Sequence, residues 1–139
     1  TELIERISKE VSASGLREAE IVVAGGYGCR DAEGFALVTK LAETLGAAVG
    51  ASRAAIDAGW AAPELQIGQS GVTVQPKLYI ACGISGAIQH SAGMDKSGTI
   101  IAINTDPDAA IFDIADYGVT EDLRTFLPAL ISELESLRG

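Results

Sequence analysis

The sequence predicts an α/β fold, a doubly wound and mostly parallel sheet with helices on both faces. Short apolar runs alternate along the chain with amphipathic stretches, the pattern of strands joined by crossover helices. Runs such as Leu78-Tyr79-Ile80-Ala81-Cys82 are apolar at every position, which marks central strands covered on both sides. The chain's 139 residues suit one domain with a core that needs no disulfide or metal, and 47% hydrophobic residues with 16 glycines describe a packed fold with many tight turns. Residues 1–139 therefore read as a single unit.

Each element has its own signal. Ile21-Val22-Val23-Ala24 is a buried strand that stops at the loop Gly25-Gly26-Tyr27-Gly28. Asp31 caps the next helix, whose apolar positions Phe35, Val38, Leu41, Ala42 and Leu45 recur at three- and four-residue steps until Gly46 ends it. Ala47 to Gly50, Leu78 to Cys82 and Ile100 to Ile103 read as further strands. Short helices are expected from Ser85 to Met94 and from Ala109 to Ala115. A long helix is expected from Thr120 to Leu137, with Leu123, Leu127, Leu130, Leu134 and Leu137 on one face. Thr120 is its expected N-cap, with Glu121 and Asp122 in the first turn. At the start, Leu3, Ile4, Ile7 and Val11 suit a helical face as well as a short edge strand. An edge strand is the reading adopted, with a turn at Ser12 to Gly15 and a connector to residue 19.

Charge and cysteine content narrow the function. A net charge of −9 with no Lys/Arg cluster disfavours nucleic acid and anionic lipid, leaving a small molecule or a protein as partner. Cys29 and Cys82 form no Cys-x-x-Cys pair, so neither a disulfide framework nor a zinc site is expected, and a reducing compartment fits. No apolar run reaches the roughly 20 residues of a membrane span, and the amino terminus has no basic stretch followed by an apolar one. No membrane insertion is expected.

In doubly wound sheets, ligands sit beyond the carboxyl ends of the strands, so the residues after each apolar run carry the chemistry. Gly25 to Gly28 allows close approach of backbone amides, without the full Gly-x-Gly-x-x-Gly fingerprint. At Ser52-Arg53 a guanidinium can stack on a ring or pair with an anion, and equally can pair with Asp57 at i+4. Gln66-Ile67-Gly68-Gln69-Ser70-Gly71 is either a polar turn or a site for hydrogen-bonding a heteroaromatic ring. Gly83 to His90 follows the most apolar strand and opens a helix, whose free N–H groups suit an anion. His90, the only histidine, is either a helix residue or a functional one. The missing Gly-x-Ser-x-Gly elbow and the lack of an evident acid partner for His90 disfavour a Ser85 nucleophile. Cys29, Cys82 and His90 lack metal-ligand spacing. The residues alone lead to a nucleotide-binding α/β domain with a ring-binding loop and an anion-accepting helix start.

The run from Leu78 to Gly93, LYIACGISGAIQHSAG, followed at Ile100 by Ile-Ile-Ala-Ile-Asn, resembles the signature of the electron-transfer flavoprotein alpha subunit. Gly46 to Trp60 and Asn104 to Phe112 are similar to that family in order and spacing. The resemblance implies a Rossmann-like three-layer fold equivalent to the subunit's carboxyl-terminal domain, without its amino-terminal domain. It implies FAD as cofactor and a beta subunit as partner. Electrons would come from acyl-CoA dehydrogenases or other flavin or nicotinamide donors and pass to a quinone reductase or another acceptor, making the chain an electron carrier rather than a self-contained enzyme. Its location would be the cytoplasm, or the mitochondrial matrix in a eukaryote.

Residue by residue, the resemblance implies Ser52 and Arg53 near the flavin ring, Ser70 facing flavin N5 within Ile67, Gly68 and Gln69, and Ser85, Gly86, Ala87, Ile88 and Gln89 around the ribityl and pyrophosphate. His90 would lie near flavin O2, and Asn104, Asp122 and Leu123 towards the adenosine end. Tyr27 departs from the family, which usually carries Arg in that loop, and removes a charge. Two other readings stay open: a cofactor-free interaction domain of the same subunit, and a nicotinamide-nucleotide-binding domain.

Overall fold

The computed structural model describes residues 19–68, 73–85, 93, 94 and 96–138. Five strands form one parallel sheet: β1 Ile21–Gly25, β2 Ala48–Ala51, β3 Leu78–Cys82, β4 Thr99–Ile103 and β5 Tyr117–Val119, in spatial order β2-β1-β3-β4-β5. The helices are α1 Ala32–Leu45, α2 Arg53–Asp57, α3 Ile111–Ile114 and α4 Leu123–Arg138, with 3-10 turns at Tyr27–Cys29 and Pro63–Leu65. The expected doubly wound α/β architecture is present.

Alternation along the strands explains the two-sided core. Val22, Ala24, Tyr79, Ala81, Ile100 and Ala102 point to one face, where Ile111, Met94 and Val74 meet them. Val23, Ile80, Cys82 and Ile103 point to the other, against Phe35, Val38 and Leu41 of α1 and Leu123, Leu127 and Ile131 of α4. With both faces covered, the strands have no polar side to show. Register is even across the sheet centre, with Val23 opposite Ile80 and Ile80 opposite Ile101.

Helix α1 follows its predicted bounds. The Asp31 carboxylate accepts from the Gly34 N–H at 2.9 Å, and Gly46 closes the helix at φ 68°, where its N–H donates to the Ala42 carbonyl. Helix α4 starts later than expected. Asp122, not Thr120, caps it: its Oδ1 accepts from Arg124 N–H at 3.0 Å and its carbonyl accepts from Phe126 N–H at 2.9 Å. A carboxylate directly before the first helical residue captures these orphan N–H groups, and Thr120 is left outside the helix. Two elements were not anticipated, α2 and β5. The expected edge strand over residues 1–12, the turn at residues 12–15 and most of the expected Ser85 to Met94 helix lie outside the described residues.

Candidate functional site

The strand order reverses between β1 and β3: from β1 the chain moves outward to β2, and from β3 it moves the other way to β4 and β5. Loops diverge at such a point and leave a crevice above the strand ends. A cleft of about 810 Å³ lies there. Its floor is Tyr27, Gly28, Gly83 and Ile84; Ser52, Arg53, Gln66 and Ile67 wall one end, and Asn104, Asp106 and Asp108 wall the other.

Glycines make the floor by letting two loops touch backbone to backbone. The Gly26 N–H donates to the Cys82 carbonyl and the Gly28 N–H to the Gly83 carbonyl, both at 2.9 Å. A Cβ on Gly28 would stand 2.6 Å from Gly83 Cα, and Gly83 itself has φ 68°. The sequence left the Gly25 to Gly28 loop open between close approach of its backbone amides to a ligand and a simple turn of the chain. The Gly26, Gly28, Cys29 and Arg30 amides all bond within the protein, and the glycines bring the β1 and β3 loops together. Beneath the floor the thiols of Cys29 and Cys82 are buried, and burial pushes Cys29 up to about 11 and Cys82 higher still. Both stay protonated near neutral pH, and neither is placed for nucleophilic work.

The walls come from residues just past the strands. Ser52 follows β2; its hydroxyl accepts from Ala55 N–H at 3.4 Å and caps α2, which places Arg53 at the rim. The Arg53 guanidinium is 75% exposed and lies 3.7 Å from the Asp57 carboxylate. The i+4 pairing read from the sequence is present, and the same side chain lines the cleft. Ile67 donates its N–H to the Ala51 carbonyl at 2.9 Å, which ties Gln66 and Ile67 to the end of β2. On the far side, Asn104 Nδ2 donates to the Ile84 carbonyl at 3.0 Å and its Oδ1 accepts from Asp106 N–H at 2.9 Å, bracing the β3 and β4 loops.

Of the residues singled out in the sequence, Tyr27, Ser52, Arg53, Ile67, Ser85 and Asn104 line this one cleft. Gly68 is buried beside it in sequence. Asp122 and Leu123 are not among the lining residues. The Asp122 carboxylate pairs with Arg30 at 3.3 Å while capping α4, and the Leu123 side chain is packed into the core. Gln69, Ser70, Gly86, Ala87, Ile88, Gln89 and His90 lie outside the described residues. Asp106 and Asp108 were missed as candidates; their signal was their position in the polar run directly after β4. Trp60 was missed too, and its ring stacks on Tyr27 with centroids 5.9 Å apart. Among the described residues, no group of three or more His, Cys, Asp or Glu is placed to hold a metal ion, and no helix is long and apolar enough to cross a membrane.

Fold and cleft together define a doubly wound α/β domain with a cleft at the switch point of its sheet, the class to which many mononucleotide- and dinucleotide-binding domains belong. The profile of the family described as electron transfer flavoprotein FAD-binding domain matches residues 15–95. The chain belongs to this family of electron transfer flavoprotein alpha subunits. It is 56% identical, over 95% of its length, to the electron transfer flavoprotein subunit alpha of Thermoanaerobacterium thermosaccharolyticum, and 55% identical, over 99% of its length, to that of Bacillus subtilis. It covers 40% and 42% of those two proteins, so it spans about two fifths of the curated relatives it matches. A mitochondrial relative from Oryza sativa subsp. indica is 52% identical over 91% of this chain and is covered over 36% of its own length. A solved structure described as that of a hypothetical protein shares the fold, with a TM-score of 0.50 at 14% identity over 97% of this chain and 79% of its own.

Proposed function

We propose that the chain binds FAD in the switch-point cleft and works as the flavin domain of an electron transfer flavoprotein, paired with a beta subunit. In this reading it accepts electrons from acyl-CoA dehydrogenases or other donors and hands them to a quinone reductase or another acceptor. The observation that carries the reading is the span of the cleft. Its walls follow β2 at one end and β4 at the other, three strand positions apart, which at the usual strand spacing is roughly 14 Å. That is the reach of an extended dinucleotide rather than of a single ring, and the cleft volume of about 810 Å³ lies in the range of cofactor sites.

The charges at the two ends support one orientation. Arg53, exposed and paired only at the surface with Asp57, favours electron-rich ring edges and phosphate oxygens. Asp106 and Asp108 disfavour phosphate and offer acceptors to ribose hydroxyls, as the acidic residue of many dinucleotide sites does. The flavin end then lies beside Ser52 and Arg53, and the adenosine end beside Asn104. The bound isoalloxazine supplies reversible electron transfer, which side chains do not. The protein residues hold it, orient it and limit water at the floor, where the buried Ile84 and Ile67 are apolar.

Purification in the presence of FAD, followed by gel filtration and a visible spectrum, tests the reading. The expected result is flavin absorbance co-eluting with protein, and displacement of FAD by neither NAD nor ADP at equal concentration. A colourless chain that takes up no added FAD in equilibrium dialysis overturns it.

A further inference from the structure

We propose that Tyr27, backed by Trp60, stacks on the flavin ring at the Arg53 end of the cleft; the inference rests on the FAD reading above. Tyr27 lines the floor of the cleft and is nevertheless 69% exposed. It projects from the turn between Gly26 and Gly28, whose backbones are pressed against the β3 loop, with Gly26 and Gly28 each 2.8 Å or less from atoms of Gly83 or Ile84 if given a Cβ. The loop therefore cannot retreat to bury the side chain. The Trp60 ring lies against Tyr27 with centroids 5.9 Å apart and planes 23° from parallel, the offset arrangement that aromatic pairs favour. The Trp60 backbone N–H donates to the Ala55 carbonyl at 3.1 Å, which anchors the main chain of this residue just past α2. One side of the phenol is thus held, and the rest of its surface is open to the cleft and solvent.

An open, rigidly mounted ring is a stacking surface for another planar ring. FAD has two, and the polarity of the cleft separates them: adenine belongs with the acceptors at Asp106 and Asp108, the flavin with Arg53. Tyr27 and Arg53 line the same cleft, and Trp60 lies only a few residues past the helix that starts at Arg53, so the ring pair and the guanidinium share one end. Tyr27 then contributes a ring contact, whose strength does not depend on the charge of the phosphates.

The test uses FMN, the flavin side of FAD with one phosphate, and ADP, its adenosine side with both phosphates, alongside FAD itself. Trp60 is the only tryptophan, so its emission reports directly on the ring pair. FMN and FAD should quench it, and Tyr27→Ala should weaken both by a similar factor, about threefold to tenfold. ADP affinity should not change, and Tyr27→Phe should bind as the wild type does. Far-UV circular dichroism confirms that the exposed substitution leaves the fold intact. The proposal is overturned if Tyr27→Ala binds FAD and FMN like the wild type, if the loss falls on ADP instead, or if the wild type binds FAD but not millimolar FMN. A wild-type chain that binds no FAD removes the parent reading as well, so the two failures are distinct.

Discussion

At the scale of single residues, the cleft depends on atoms that are missing. Gly83 sits at φ 68° with Gly28 C and Cys29 N within 2.9 Å of where a side chain would begin. Gly83→Ala should therefore both strain the backbone and force the two floor loops apart, lowering stability by about 2 kcal/mol or more in urea unfolding and weakening FAD binding together. Arg53 is the contrasting case. Because its side chain is 75% exposed, Arg53→Ala should leave the unfolding midpoint unchanged while isothermal titration shows FAD affinity reduced about tenfold, the loss of one charge-assisted contact. Part of the described site was legible in the sequence because several wall residues directly follow an apolar run, Ser52 and Arg53 after β2 and Asn104 after β4, while Gln66 and Ile67 stood out only as part of a polar, Gly-containing stretch. Asp122 was read as a site residue by resemblance, yet here its carboxylate is drawn to Arg30 and to the first turn of α4. That pairing joins distant parts of the chain, and no local pattern reveals it.

At the scale of elements, two helix starts are tied to each other. Asp31 caps α1 and pairs with Arg124 in the first turn of α4, while Asp122 caps α4 and pairs with Arg30, the residue before Asp31. Arg30 has φ 73°, the one positive value at a non-glycine among the described residues, and it ends the turn that carries Tyr27. The crossed pairs hold that turn against α4. The Asp31 carboxyl lies below its ordinary 3.8, first because of the Gly34 N–H and then because of the Arg124 guanidinium. A carboxylate depressed in the folded state stabilises fully above its unfolded value, and the contribution is lost as pH falls through the folded value. Wild type should therefore be more stable than Asp31→Ala near neutral pH, and the gap in urea midpoints should narrow as pH falls below 3.8 and close once it is below the folded value. A gap that persists unchanged in acid would show that the carboxylate charge does not matter. Long periodic elements such as α1 were readable from spacing alone. β5 was not: Tyr117-Gly118-Val119 shows no apolar run, and it becomes a strand by pairing, Ala102 beside Gly118, while the missing side chain of Gly118 makes room for the Phe112 ring.

At the scale of the whole molecule, the sequence indicated a parallel, two-sided sheet, because both faces of β1, β3 and β4 are apolar, but it left the order of strands open. Order depends on which strand edges meet, and the apolar runs that read as strands carry no signal of their neighbours; only the paired structure shows the reversal between β1 and β3 that opens the cleft. The net charge of −9 adds a general expectation, that no polyanion competes for this surface. The central claim is that FAD occupies the cleft above the carboxyl ends of β1 and β3. Titrating the isotopically labelled chain with FAD and following its backbone amide resonances tests this most directly. The account predicts that shifts concentrate at Tyr27, Gly28, Ser52, Arg53, Gly83, Ser85 and Asn104, with Leu78 and Thr99 at the opposite ends of their strands unmoved. Saturable shifts centred on Leu78 and Thr99, or none anywhere at saturating FAD, would contradict it.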